Sequence, residues 1–232
     1  GVQTCALPIS ALASKITPRT RTIMVNSPHN PTGAVWSMAD LDAFAEIVKG
    51  TNILIVSDEV YEHIVFDGAK HASVLLHPEL RKRSFVCGSF GKTYHITGWK
   101  IGSCIAPAYL TAEFRKLHQW VTFSSATPLQ YALADYLKEP AHYLGLSDFY
   151  QKKRDLFASQ FTGSKWKILP SAGSFFQCLD YSAISNEKDV DLADRLTQEI
   201  KVASIPVSVF YETDPGDKIL RFCFAKEDDM LL

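Results

Sequence analysis

The chain has 232 residues, of which 47% are hydrophobic, and its formal net charge at pH 7 is -1. A chain of this size can bury a substantial hydrophobic core in one or two domains. The balanced charge and the short basic cluster at residues 81–83 give no basic stripe, which argues against a nucleic-acid partner. No apolar run is long enough to span a bilayer, and no signal peptide is recognisable, so no membrane partner is expected.

The two ends of the chain differ from the rest. The first nine residues, GVQTCALPI, show no helical or strand periodicity and match the translation of a widely used sequencing adapter. We interpret residues 1–9 as an assembly artefact and expect the folded part to begin at Ser10. The last residues, FAKEDDMLL, indicate the end of a strand followed by the first turn of a helix. We therefore expect a chain that is truncated at both ends.

The next part of the chain predicts an α/β sheet. Strands are predicted at residues 21–27, 52–61, 84–90 and 100–107, with a helix at residues 37–49 after the first strand. Ser37 is placed to cap that helix, and Gly50 is placed to end it. The second predicted strand contains four consecutive apolar residues, which is typical of a strand buried on both faces. This alternation predicts a sheet that is parallel in large part.

The character of the pattern changes in the last third. Helices are predicted at residues 111–122, 128–137 and 147–161, followed by a strand at 171–181, a helix at 189–200, an extended segment at 202–210 and a strand at 218–225. The later segments indicate an α+β unit. We therefore predict one domain at residues 10–145 and a smaller domain at residues 146–232.

The cysteines favour a reducing compartment. The five cysteines include no CxxC pair and no spacing typical of a metal site. Four of them, Cys87, Cys104, Cys178 and Cys223, lie in apolar, strand-like runs, where free cysteine packs as a small hydrophobic residue. We expect a cytoplasmic protein without a disulfide framework and without a metal.

Candidate functional residues lie at the ends of predicted strands, where open α/β sheets build their sites. They are Asn30 in SPHNPTG, Asp58 and Tyr61 in ILIVSDEVY, Ser89, Lys92 and Lys100 in SFGKTYHITGWKIG, and Arg221 in LRFCFA. Each alone is weak, but their order is specific. From about Ser10 onward the chain resembles the class I and II aminotransferases, which depend on pyridoxal 5'-phosphate and have fold type I. The likeness is greatest to the methionine and kynurenine aminotransferase branch.

The resemblance implies a role in cofactor binding for six of these residues. Lys92 would hold the cofactor covalently and, once released, move a proton as general base and acid. Asp58 would face the pyridine nitrogen and keep it protonated. Asn30 and Tyr61 would donate hydrogen bonds to the 3' oxygen of the cofactor. Two further residues, Ser89 and Lys100, would bind the 5'-phosphate.

The resemblance also implies a substrate site and a larger assembly. Arg221 would bind the substrate α-carboxylate, because a planar guanidinium can hold both oxygens. In this family an upstream half supplies further strands of the sheet, a ring that stacks on the cofactor and a glycine-rich phosphate loop. The active sites form in a homodimer. The chain by itself is therefore expected to fold poorly and to be inactive, with an incomplete large domain and a small C-terminal domain.

The expected activity is transfer of an amino group from an L-amino acid to a 2-oxo acid. An apolar donor such as methionine, or an aromatic donor such as kynurenine, is favoured, because no second cationic residue is evident for a side-chain carboxylate. Three alternatives stay open: a C–S β-lyase that uses the same residues, an aminotransferase-like domain of a transcription regulator, and a non-enzymatic remnant.

Overall fold

The computed structural model describes residues 9–232, so the segment interpreted as adapter-derived lies outside the described part except for Ile9. The described chain divides into two compact units. The first unit comprises two stretches of the chain: the described residues that end at Pro28, and Val35–Ser147. The second comprises His29–Ala34 and Asp148–Leu232. The change of unit after Ser147 falls beside the predicted domain boundary, whereas the segment His29–Ala34 groups with the second unit and not with the first.

The first unit is built on a four-stranded sheet. Its strands are β1 (Thr22–Asn26), β2 (Leu54–Asp58), β3 (Ser84–Ser89) and β4 (Gly102–Ile105), in that spatial order. The β1–β2 and β2–β3 pairs are parallel, and β3–β4 is antiparallel. Each strand lies inside its predicted range. The prediction of an α/β fold with a mostly parallel sheet is therefore confirmed.

Seven helices accompany this sheet in the described residues. They are α1 (Ile9–Lys15), α2 (Met38–Val48), α3 (Pro78–Arg81), α4 (Phe90–Thr93), α5 (Ala108–Val121), α6 (Thr127–Tyr136) and α7 (Ala141–Leu144). The predicted cap of α2 is confirmed: Ser37 Oγ accepts a hydrogen bond from the backbone N–H of Asp40 at 3.2 Å. The Asp40 carboxylate accepts from the Ser37 N–H in return, at 2.8 Å, which completes a capping box.

The core of the first unit lies between α2 and the sheet. The buried face of α2 consists of Leu41, Phe44, Ala45 and Val48. These side chains pack in one cluster with apolar residues of the strands and with Leu80 of α3. Burial of each large apolar side chain stabilises the fold by about 1.5–3 kcal/mol. A separate cluster, formed by Tyr94, Ile101 and Leu133 with partly buried neighbours, packs beside the segment between β3 and β4. The residues on either side of Lys92 are therefore anchored.

The second unit has the predicted α+β pattern. Its elements are α8 (Leu146–Ser159), which begins at the change of unit, β5 (Lys167–Ile168), β6 (Phe176–Asp180), α9 (Asp189–Arg195), β7 (Ile205–Pro206) and β8 (Ile219–Cys223). The strands form an antiparallel sheet in the order β5-β6-β8-β7. The predicted extended segment at 202–210 contains the paired residues Ile205–Pro206, but its end is wrong, because Ser208–Phe210 form a 3-10 turn.

Backbone hydrogen bonds explain why His29–Ala34 belongs to the second unit. The carbonyl oxygen of Gly33 accepts from the N–H groups of Ala172 and Gly173 at 2.8 and 2.9 Å. The Cys178 thiol donates to the carbonyl oxygen of Pro31 at 3.3 Å. Each contact joins residues that are far apart in sequence, so local sequence patterns gave no sign of them.

Gly33 is a position where a side chain is not tolerated. Its φ is +71°, and a Cβ there would lie 2.9 Å from the carbonyl oxygen of Gly173. We expect Gly33→Ala to lower the free energy of unfolding by about 2–4 kcal/mol, because left-handed backbone strain adds to a steric clash. The matched control is Gly163→Ala, since Gly163 has a φ of +77° and a Cβ added to it would have no atom within 4 Å. Urea unfolding of the protein extended to the length of its relatives, followed by circular dichroism, would measure both, and equal losses would contradict the clash.

Candidate active site

Two neighbouring strand ends carry predicted site residues in the first unit. Asp58 is the last residue of β2, and Ser89 is the last residue of β3. The backbone carbonyl of Asp58 accepts from Ser27 N at 3.1 Å and from the side-chain amide of Asn26 at 2.9 Å. These bonds fix the end of β2 against β1. Because β2 and β3 are parallel, their carboxyl ends meet at the same edge of the sheet.

Ser89 and Lys92 are joined by a local helix start. Ser89 is the N-cap of α4, and its Oγ accepts a hydrogen bond from the backbone N–H of Lys92 at 3.3 Å. The Thr93 hydroxyl donates to the Ser89 carbonyl at 3.2 Å. This short turn holds the backbone of Lys92 directly after β3. The position of the lysine is therefore set by hydrogen bonds from the strand end.

Lys92 lies close to both Tyr61 and Asp58. Its Nζ atom is 6.0 Å from the centroid of the Tyr61 ring, which is buried. Burial raises the pKa of the Asp58 carboxyl; the N–H of Val60 and the positive charge of Lys92 lower it in part, and the charge of Glu59 raises it again. The net shift of the Asp58 pKa is upward. The structure thus brings an amine, a phenol and a partly buried carboxyl together.

Lys100 lies in the same connection between β3 and β4 as Lys92. It is exposed, has a left-handed backbone with φ of +58°, and follows the 3-10 turn Thr97–Trp99. It lies two residues before β4. Its role as a phosphate ligand stays a prediction.

Asn30 and Arg221 contact each other in the second unit. Arg221 lies in β8, and its Nη1 donates to Asn30 Oδ1 at 2.6 Å. The guanidinium carbon stands 4.1 Å from the centroid of the Phe176 ring and 5.8 Å from that of Phe210. Stacking on an aromatic face and a fixed amide acceptor hold the guanidinium plane in one orientation. The site residues thus form two sets, one in each unit.

A buried acid beside Asp58 was missed by the sequence reasoning. The Glu59 carboxylate accepts hydrogen bonds from Ser57 Oγ at 2.9 Å, His71 Nε2 at 2.8 Å and the backbone N–H of Val74 at 3.0 Å. Burial raises the pKa of Glu59, but the hydrogen bonds, that of His71 first, lower it to below its usual value. Glu59 therefore ties the end of β2 to the loop at residues 71–74. The only signal in the sequence was a second carboxylate directly after Asp58.

Comparison with known proteins identifies the family of the chain. The family model for aminotransferase class I and II matches residues 3–232. The chain belongs to this family. Methionine aminotransferase of Escherichia coli (strain K12) is 51% identical over 221 residues, which are 95% of this chain and 57% of that protein. A probable N-succinyldiaminopimelate aminotransferase of Mycobacterium tuberculosis is 36% identical, over 97% of this chain and 59% of its own length.

Solved aminotransferase structures have the same fold. The Escherichia coli protein YbdL, described with a methionine aminotransferase function, matches with a TM-score of 0.96 and 48% identity, over 100% of this chain and 62% of its own. An aspartate aminotransferase of Thermus thermophilus matches with a TM-score of 0.84 and 28% identity, over 96% of this chain and 57% of its own. The expected fold type I is therefore confirmed. The chain spans less than two thirds of the length of these relatives.

The part of the chain from Ile9 to Leu232 contains neither a metal-binding group of side chains nor a membrane-spanning helix. No group of three or more His, Cys, Asp or Glu side chains there is arranged to hold a metal ion. Within the same range, none of the helices has the length and apolar character that a membrane span requires.

The raised pKa of Asp58 gives a stability prediction. Because the fold raises this pKa, the protonated form of Asp58 favours the folded state. The stabilising contribution is complete below the usual pKa of 3.8 and is lost as pH rises through the raised pKa. We expect Asp58→Asn to raise the melting temperature of the cofactor-free protein at pH 7. The increase should be about 2–4 °C for each kcal/mol that the substitution adds to the free energy of unfolding. The gain should vanish near pH 3.

Thermal denaturation of the protein extended to the length of its relatives, followed by circular dichroism, would test this expectation. Asp135→Asn is the matched control, since Asp135 is an exposed carboxylate that pairs with Lys138. The control should change stability by no more than about 0.5 kcal/mol. A lower melting temperature for Asp58→Asn at neutral pH would show that the Asp58 charge stabilises the fold.

Proposed function

We propose that this chain is part of a pyridoxal-phosphate-dependent enzyme that transfers an amino group from an L-amino acid to a 2-oxo acid. One observation carries the proposal. Lys92 is held at the end of β3, with its Nζ 6.0 Å from the ring centroid of Tyr61 and its charge acting on Asp58. A lysine amine, a phenol and a partly buried carboxyl together are the groups that this chemistry requires.

The side chains of the first unit fit the polar groups of pyridoxal phosphate. Asp58 supplies a carboxylate for the pyridine nitrogen, and its raised pKa indicates that a cationic partner would stabilise its ionised form. Tyr61 supplies a hydroxyl donor for the 3' oxygen. Ser89 and Lys100 supply a hydroxyl and a positive charge for the phosphate, and Lys92 supplies the amine. When bound, the cofactor withdraws electrons from the bond that breaks at the substrate α-carbon.

The chemical work of the chain then divides among three residues of the first unit. Lys92 would hold the cofactor covalently until substrate replaces it, and its freed amine would then take a proton from the substrate α-carbon. Asp58 would hold the ring nitrogen in its protonated form by charge and hydrogen bonding. Tyr61 would donate a hydrogen bond to the 3' oxygen and so stabilise negative charge there. None of these steps needs a metal ligand.

The residues of the second unit have the substrate role in this proposal. Arg221 binds the α-carboxylate through two parallel N–H donors, which fixes the orientation of the substrate. The Arg221–Asn30 bond of 2.6 Å sets the Asn30 amide so that its oxygen faces the guanidinium and its NH2 group faces away. The family resemblance implies that Asn30 would donate this NH2 group to the 3' oxygen of the cofactor.

Methionine is the amino donor that the comparisons favour. The relative with 51% identity is a methionine aminotransferase, and a kynurenine–oxoglutarate transaminase of Dictyostelium discoideum is 35% identical over 94% of this chain and 55% of its own length. We therefore propose methionine first and aromatic amino acids second. A cytoplasmic homodimer is proposed for the whole enzyme on the same family grounds.

The test is an absorption spectrum of the protein, extended to the length of its relatives and loaded with pyridoxal phosphate. L-Methionine is added without any 2-oxo acid. Conversion of the band of the lysine-bound cofactor into the band of pyridoxamine phosphate is the expected result. If methionine left the spectrum unchanged but kynurenine or phenylalanine converted the cofactor, the amino donor would be an aromatic amino acid and not methionine. Release of pyruvate and ammonia from a cysteine conjugate would favour the β-lyase, and absence of any lysine-bound cofactor would overturn the proposal.

A further inference from the structure

Two cysteines face each other across β3 and β4. Cys87 and Cys104 are direct partners in the antiparallel register of these strands. The carbonyl oxygen of Cys87 accepts from the N–H of Glu59 at 2.9 Å, so the peptide groups of Cys87 point toward β2. Cys87 and Cys104 are therefore a non-hydrogen-bonded pair, in which Cα atoms are about 4.5 Å apart and side chains are closest. That separation lies within the range of disulfides, about 4.4–6.8 Å.

The side chains of this pair interact in the dithiol form. Both cysteines are free and partly buried, and they are direct partners in the register of β3 and β4. Burial raises the pKa of Cys87 to about 11, with contributions from Cys104 and from the charge of Asp58. Burial also raises the pKa of Cys104, but the hydrogen bond from Cys87 lowers it in part. Either thiol can attack first, and its register partner is then placed to attack second.

The other two described cysteines lack this arrangement. In the second sheet Cys178 lies opposite Arg221, and Cys223 lies opposite Phe176. Cys178 is also buried and donates to the carbonyl oxygen of Pro31. Only the pair on β3 and β4, among the described residues, joins two cysteines in direct register. Selective chemistry is therefore expected at one place.

We propose that Cys87 and Cys104 form a dithiol site that a low-molecular-weight disulfide oxidises reversibly to a cross-strand disulfide. The thiolate of one cysteine attacks one sulfur of the small disulfide and displaces the first small thiol. The partner cysteine then loses its proton and attacks the mixed-disulfide sulfur of the first cysteine, which displaces the second small thiol. Two protein thiols are oxidised and one small disulfide is reduced to two thiols, so atoms and electrons balance. In a reducing compartment such a bond forms only transiently.

The bond would close a loop that carries site residues. The segment between the two cysteines contains Ser89, Lys92 and Lys100. Oxidation would therefore join the two strands at the base of this segment and restrict how they separate. The proposed site can be tested without the aminotransferase activity, because the experiment detects the disulfide bond itself.

The test is peptide mapping of the full chain after oxidation. The native protein is incubated with oxidised glutathione at mildly alkaline pH, its remaining thiols are blocked, and it is digested with trypsin without reductant. Cleavage after Arg83, Lys92, Lys100 and Arg115 gives SFVCGSFGK and IGSCIAPAYLTAEFR. We expect these two peptides joined, with the summed mass less two hydrogen atoms, and separated again by dithiothreitol.

Single-cysteine variants test the role of the pair. Cys87→Ser and Cys104→Ser should each lose the joined peptide and stop the reaction at a glutathione adduct on the remaining cysteine of the pair. Cys223→Ser is the control and should keep the joined peptide. Glutathione adducts on Cys87 and Cys104 without the joined peptide would overturn the proposal. So would a joined peptide that forms only after the protein is unfolded in urea.

Discussion

Lys92→Ala is expected to abolish conversion of the cofactor by L-methionine, with a loss in the single-turnover rate of at least about 10⁴-fold. In the proposed function the substitution removes both the covalent attachment and the amine that moves the proton. Asp58 and Tyr61 would not replace this amine, since in the proposal Asp58 faces the ring nitrogen and Tyr61 donates to the 3' oxygen. Rapid-mixing absorption spectroscopy would measure the rate.

The control for Lys92 is Lys82→Ala. Lys82 is an exposed lysine of the same unit and pairs with Glu79 at 2.8 Å on the surface. Its removal should leave the rate within about twofold, because exposed ion pairs contribute little. A Lys92→Ala protein that keeps the absorption band of the lysine-bound cofactor, and reacts as fast as the Lys82→Ala protein, would contradict the assignment of Lys92.

Local sequence patterns were sufficient for the elements of the first unit. The four strands lie where runs of apolar residues predict them, and the cap at Ser37 depends on residues only three positions apart. Such features are set by nearest neighbours, which a single sequence contains. The order of Asp58, Tyr61, Ser89 and Lys92 along two strand ends could be read in the same way, because parallel strands place their carboxyl ends together.

Features that depend on distant contacts could not be predicted. His29–Ala34 reads as a turn that follows β1, yet its backbone is paired with residues 172–173. The Glu59–His71 contact depends on the course of the intervening loop, which includes the left-handed residue Asp67 with φ of +58°. The Arg221–Asn30 bond joins side chains 191 positions apart. The periodicity of apolar residues along the sequence does not predict pairs of residues that are so far apart.

Substitution of Arg221 by lysine is expected to lower kcat/KM for L-methionine by about 10²- to 10³-fold, although the charge is kept. Lysine has one ammonium group and no planar fork, so it cannot donate to Asn30 Oδ1 and hold two carboxylate oxygens together. It would also lose the stacking on Phe176, whose ring centroid lies 4.1 Å from the guanidinium carbon. The loss should come chiefly from weaker substrate binding and poorer orientation.

The decisive measurement compares L-methionine with the amine that lacks its carboxylate. If Arg221 acts on the carboxylate, the wild-type protein should react far faster with methionine than with the amine, and Arg221→Lys should reduce that ratio while leaving the amine rate unchanged. Arg195→Lys, at an ion pair with Glu187 in the same unit, is the control and should keep the ratio. An equal loss for both substrates would mean that Arg221 supports the fold around Asn30 and does not bind the carboxylate.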